Sequence, residues 1–163
     1  VDVFIWGAIY DYKGIYEFIS LPAIQSSKLQ IYILGHSMDE KLKDRILSKC
    51  NSHIIYEDRR AGFSEIAAYC KKSKYVLFPY VGESISSSGA LIDTLVFGGV
   101  PIGPNRGAFK DLAEENACLV YNNYEELCKI LHDTSTIAPE DRKIFLDRYS
   151  WENFAKMIYE KFH

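Results

Sequence analysis

Short apolar runs alternate with longer periodic segments along the whole chain. The runs at residues 3–6, 31–34, 53–55, 75–78, 100–102 and 118–120 are rich in β-branched and aromatic residues and bounded by Gly, Pro, Asn or charge, which predicts six strands. Between them, residues 15–20, 39–48, 63–71, 87–97, 109–114 and 124–132 carry helical periodicity. In the second of these, Leu42, Ile46 and Leu47 fall on one face, with Lys, Asp and Glu elsewhere. Alternation of this kind predicts an α/β fold: a Rossmann-like doubly wound parallel sheet of about six strands, covered by helices on both faces. The spacing is too irregular for a solenoid. A linker-like stretch at 133–139 precedes two more predicted helices, 139–147 and 150–162.

Composition narrows the class without naming a function. A chain of 163 residues with 48% hydrophobic and 25% charged residues is an ordinary globular domain with room for a core. A formal charge of −3 lacks the basic surplus of a nucleic-acid binder, so no nucleic-acid partner is expected. Lys71, Lys72 and Lys74 are the densest basic cluster, and at a helix end they complement its dipole. Cys50, Cys70, Cys118 and Cys128 show no C-x-x-C spacing, and His36, His53, His132 and His163 show no paired-ligand spacing. Free thiols in a reducing compartment are expected, and no metal site. The apolar stretch 75–81 is too short for a membrane span and contains Pro79. With no leader pattern at its start, the chain reads as cytoplasmic, with peripheral attachment at the inner face of a membrane left open. It begins on a strand without Met, as a trimmed piece would.

In an open parallel sheet, ligands bind beyond the carboxyl ends of the strands, where strand order reverses. Priority therefore goes to the segments just after each strand, at 7–14, 35–37, 56–60, 79–89, 103–107 and 121–123. The richest runs Pro79-Tyr80-Val81-Gly82-Glu83-Ser84-Ile85-Ser86-Ser87-Ser88-Gly89, a polar loop opening a helix. An N-cap needs one serine. Four serines and a glycine favour a diphosphate held by free N–H groups and the positive helix end. Residues 90–97 are apolar nearly all round except for Asp93 and Thr94. A carboxylate buried there needs a partner, either ribose hydroxyls or a structural donor. In Gly7-Ala8-Ile9-Tyr10-Asp11-Tyr12-Lys13-Gly14, Lys13 stands just before a helix start, where a cation can hold a phosphate.

Together these segments resemble the family 4 (group 1 type) glycosyltransferases of the GT-B fold. That family opens its second domain with a strand and G-R-L-x-x-x-K-G, continues through a strand ending in P-S to E-G-F-G-x-x-x-x-E-A-M-A-x-G-x-P, and closes with a helix near S-W-E. Lys13-Gly14, Phe78-Pro79 followed by Glu83, Gly89 to Gly99-Val100-Pro101, and Tyr149-Ser150-Trp151-Glu152 match in order. The resemblance implies a retaining glycosyltransferase whose donor is a nucleotide-diphospho-sugar and which needs no tightly bound cofactor or metal. It implies that Lys13 and Gly14 hold the diphosphate, Glu83 acts catalytically beside the transferred sugar, and Ser87, Ser88 and Gly89 meet the phosphates. Asp93 and Thr94 then stand where the ribose-binding glutamate would, and the loop with Glu57 and Arg59 runs along the nucleobase. Residues 1–163 form one nucleotide-sugar-binding domain in this reading. The terminal helix, about 150–162, carries an apolar stripe of Trp151, Phe154, Met157, Ile158 and Phe162 and would cross to an amino-terminal acceptor domain, without which the chain is expected to be inactive. Glycan or polysaccharide assembly, onto a glycan or a lipid-linked acceptor, is the family's expectation.

Three departures qualify the match. The family arginine is Ala8 here, removing a charge-assisted hydrogen bond of about 1.5–3 kcal/mol, and Arg59, Arg60 or Arg106 is expected to replace it. Three extra residues separate Glu83 from Gly89, and the second glutamate falls on Thr94. A one-residue slip turns a helical side chain by about 100°, which bears on Asp93 as its substitute. The alternatives are a sugar-nucleotide 2-epimerase of the same fold, which would need further acid/base groups, and a non-catalytic nucleotide-binding or scaffold module.

Overall fold

The computed structural model describes residues 1–82 and 89–162, without the Phe162 side chain. Six strands, β1 (Val3–Trp6), β2 (Ile31–Leu34), β3 (Ile54–Glu57), β4 (Tyr75–Leu77), β5 (Pro101–Pro104) and β6 (Leu119–Tyr121), form one parallel sheet in the order β3-β2-β1-β4-β5-β6. The order reverses between β1 and β4, so the crevice of this doubly wound fold lies beyond their carboxyl ends.

Helices cover both faces. They are α1 (Ile15–Ile19), α2 (Pro22–Gln25), α3 (Glu40–Leu47), α4 (Phe63–Lys72), α5 (Gly89–Val96), α6 (Gly107–Glu114), α7 (Tyr124–His132), α8 (Pro139–Arg148) and α9 (Trp151–Phe162). The strand alternation assigns the layers. Val3 and Ile5 pack with Phe18 of α1, Ile24 of α2, Ile46 of α3 and Leu127 of α7 on one face. Phe4 and Trp6 pack with Ile66 and Cys70 of α4, Leu91 of α5 and Phe109 of α6 on the other. Side chains begin two of the helices: Asp39 accepts from the N–H groups of Lys41 and Leu42 at α3, and Asn123 from that of Glu126 at α7.

The last helices stand apart from this core. Phe145 of α8 is buried with Leu95 and Ala117. Along residues 151–161 of α9 every residue except Asn153 is exposed, including Trp151 at 84% and Met157 at 63%. A helix of this length with nearly all its described side chains exposed gains little from burial, so α9 contributes little to holding the domain. Replacing Trp151, Phe154 and Ile158 together by serine should leave the melting temperature within ~2 °C of the parent while lowering hydrophobic-dye binding. A large loss of thermal stability would mean that the stripe packs on this chain's own sheet. Among the described residues no helix is long and apolar enough to cross a membrane, and no group of three or more His, Cys, Asp or Glu side chains is placed to hold a metal ion.

Candidate functional site: the carboxyl edge around the strand-order reversal

The site begins with the chain leaving β1. Gly7 takes a φ of 100°, and parallel pairing with the β2 exit resumes at Ile9, whose N–H donates to the His36 carbonyl at 2.9 Å. A 3-10 turn at Asp11–Lys13 follows, ended by Gly14 at φ 64°. The short turn presents Lys13 inward, and the side chain is only 7% exposed. Its Nζ lies 5.7 Å from the centroid of the Tyr80 ring, and a Cβ at Gly7 would sit 3.3 Å from it. Burial pushes the ammonium down to about 8, and among the described residues no carboxylate pairs with it. A charge held this way is poised for an anion.

The chain leaving β4 runs against that turn. The Val81 N–H donates to the Tyr12 carbonyl at 3.0 Å, and a Cβ on Gly14 would overlap the Pro79 carbonyl oxygen. The segment that leads into Glu83 therefore meets the Lys13 turn at one sheet edge. Arg106, before α6, reaches the same place: its Nη2 donates to the Tyr80 carbonyl at 2.9 Å, while its buried Nε has no acceptor among the described residues. Two cations thus flank Tyr80, one over its ring and one on its carbonyl. A cavity of about 240 Å³, lined by Arg106, Val81, Tyr121 and Tyr124, opens on the Arg106 side.

A larger cavity of about 350 Å³ opens beyond β1, β2 and β3. Its walls include Trp6, Leu34, Phe63 and Ile66, and its polar lining includes His36, Arg59 and Arg60. Arg59 is already committed, since its Nε donates to Glu57 at 2.7 Å and its Nη1 to Glu65 at 3.0 Å. Glu57 itself ends β3 and is bound to Arg59. Arg60 is exposed and has no ion pair among the described residues.

The remaining expected site residues divide three ways. Glu83, Ser87 and Ser88 lie outside the described residues. Gly89 is exposed at the start of α5, with none of the described residues near where a Cβ would stand, and Asp93 is half-buried on that helix. Thr94 turns away from solvent. It is fully buried, accepts from the Trp6 indole N–H at 3.1 Å and donates to the Ala90 carbonyl at 2.7 Å, so its hydroxyl is spent inside the domain. His36 and its partner Asp58 fall in the prioritised segments 35–37 and 56–60, but their pairing was not foreseen.

No protein-family model matches the chain, and no curated protein is significantly similar to it in sequence. Solved structures are similar in fold. The Anabaena protein HepE, in complex with UDP, superposes with a TM-score of 0.73 at 16% identity, over 99% of this chain and 48% of that one. AviGT4, a glycosyltransferase involved in avilamycin A biosynthesis, gives 0.70 at 12% identity, over 98% of this chain and 50% of that one. The C-terminal domain of the group 1 family glycosyl transferase LpcC from Francisella tularensis gives 0.67 at 19% identity, over 92% of this chain and 86% of that domain. The fold is that of a Rossmann-like half of the GT-B type. The chain spans about half the length of HepE and AviGT4.

Proposed function

We propose that this chain is the donor-binding, carboxy-terminal half of a retaining glycosyltransferase of the family 4 type, which holds a nucleotide-diphospho-sugar for transfer to a glycan or lipid-linked acceptor. The observation that carries the reading is the meeting of the buried Lys13 turn with the segment before Glu83, at the edge where strand order reverses. HepE, similar in fold, has been crystallised with UDP and with UDP-glucose, and a diphosphate suits the cations here. Lys13 holds the diphosphate as a point charge, and Arg106 takes the role of the arginine that Ala8 lacks. Arg106 fits that role better than Arg59, whose guanidinium is already paired with two carboxylates. As the bond from anomeric carbon to phosphate breaks, negative charge grows on the leaving diphosphate, and fixed cations stabilise it without reorganising. Glu83 would stand beside the transferred sugar. The larger cavity takes the nucleoside, with the loop from Tyr56 to Arg60 along its base. The exposed α9 stripe supports docking to an amino-terminal acceptor domain.

Calorimetric titration of the purified chain with UDP, GDP and ADP tests this reading, with micromolar to millimolar binding of at least one expected. Arg106→Ala should weaken that binding ~10- to 100-fold, whereas Arg59→Ala should change it less than about twofold. Failure of all three diphosphates to bind would overturn the proposal.

A further inference from the structure

The larger cavity carries one polar feature to which the donor reading assigns no role. Asp58 collects four donors: the Ser37 N–H at 2.9 Å, Lys43 Nζ at 3.0 Å, His36 Nδ1 at 3.0 Å and the Tyr56 hydroxyl at 3.2 Å. Burial by itself would raise this carboxyl, but the donors outweigh it and hold Asp58 well below the usual carboxylate range. A carboxylate that stays ionised fixes its imidazole partner: Nδ1 carries the proton, and in the neutral ring Nε2 is left as an acceptor. His36 lines the cavity and Asp58 does not. With Nδ1 turned to Asp58, the far nitrogen is the one available to the cavity.

The surroundings frame that acceptor. Trp6, Leu34, Phe63 and Ile66 offer flat apolar wall, Arg59 is tied to Glu57 and Glu65, and Arg60 supplies donors only. A planar ring seated against this wall would meet the fixed His36 acceptor. Uracil and guanine present a ring N–H on their pairing edge, whereas adenine and cytosine present a ring lone pair there. Two facing lone pairs repel, and leaving a buried polar group unmatched is the stronger part of such discrimination.

We propose that His36, with its tautomer set by Asp58, is a specificity-determining residue that selects a donor base bearing a ring N–H, uracil or guanine, over adenine and cytosine. The inference rests on the reading that this cavity receives the base of a nucleoside diphosphate. Asp58 acts through His36 and is a positioning residue.

Titration of the intact chain and of His36→Ala and His36→Asn with UDP, GDP, ADP and CDP tests it, with circular dichroism to confirm that each variant is folded. The parent chain should bind UDP or GDP ~10-fold more tightly than ADP and CDP. His36→Ala should erase that gap by weakening UDP or GDP, leaving ADP and CDP within about twofold, because Lys13 and Arg106 are untouched. His36→Asn, whose amide offers both a donor and an acceptor, should bind all four bases alike. A preference that survives His36→Ala, or a parent chain that favours ADP or CDP, overturns the assignment. Equal binding of all four by the parent chain overturns it while leaving the donor reading standing. Absence of binding by any nucleoside diphosphate overturns both.

Discussion

Gly14→Val is expected to destabilise the domain by about 3 kcal/mol or more and to weaken diphosphate binding in the same step. Gly14 sits at φ 64°, a region a β-branched residue enters only under strain. A Cβ there would overlap the Pro79 carbonyl oxygen and come within 2.7 Å of Val81 Cγ1. Neither neighbour yields easily: Pro79 follows the central strand β4, and the Val81 N–H is bonded to the Tyr12 carbonyl. Strain and overlap each cost about 1–3 kcal/mol, and both fall on one residue. For a domain of this size that corresponds to a fall in melting temperature of roughly 10 °C. Because the overlap pushes the segment at 79–82 away from the 3-10 turn, Lys13 would lose its register with the loop that leads into Glu83. Thermal unfolding by circular dichroism, with a UDP titration of the same variant, checks both effects. A variant that melts within ~2 °C of the parent would mean that the two segments do not meet as described.

The sequence pattern located the sheet more easily than the chemistry. At β1 and β2 the buried apolar run and the strand coincide residue for residue, because strands covered on both faces need unbroken apolar stretches. At β3 the expected start moves from His53 to Ile54, since the Asn51 side chain accepts from the N–H groups of both His53 and Ile54 and closes a turn there. The same strand runs on through Glu57, where an acidic residue signalled loop. β5 continues through Gly103 and Pro104, both loop signals in sequence, because Gly103 lets the Phe109 ring lie directly on the strand. Helix α2 is four residues long, too short for periodicity to register. Near the candidate site, the pattern put Lys13 just before a helix start, and α1 does begin two residues later, after a 3-10 turn that buries Lys13. An all-round apolar helix does not reveal which neighbour a single polar group will find: the Thr94 hydroxyl accepts from Trp6, 88 residues away. The His36–Asp58 pair depends on strand register. Pairing of Leu34 with Glu57 across β2 and β3 is what sets the two exits side by side, and no local pattern encodes that.

Lys13→Met should stabilise the ligand-free chain while nearly abolishing diphosphate binding, and the opposite signs are what make the result decisive. Burial lowers Lys13 from 10.5 to about 8, so the folded state binds this proton less tightly than the unfolded state does. The sign follows from linkage: between pH 8 and 10.5 the unfolded chain holds more protons, so stability rises with pH across that window. Below pH 8 the buried ammonium costs the folded state roughly 3 kcal/mol in full. Methionine fills a similar volume without the charge, so at pH 7 its variant should unfold about 1–3 kcal/mol harder in denaturant, and the gap should close as pH approaches 10.5. Affinity for UDP or GDP should meanwhile fall ~100-fold, the loss of a charge-assisted contact in a partly dry site. Bound diphosphate supplies the negative charge that the ammonium lacks among the described residues, so it should raise the lysine again and draw a proton from solution at pH 8 to 9. Calorimetry in buffers of different ionisation enthalpy measures that uptake directly. Equal or lower stability of Lys13→Met at pH 7 would mean that the charge is already compensated within the chain. Lys13 would then be an internal strut, and the strained cation on which the donor cradle depends would not exist.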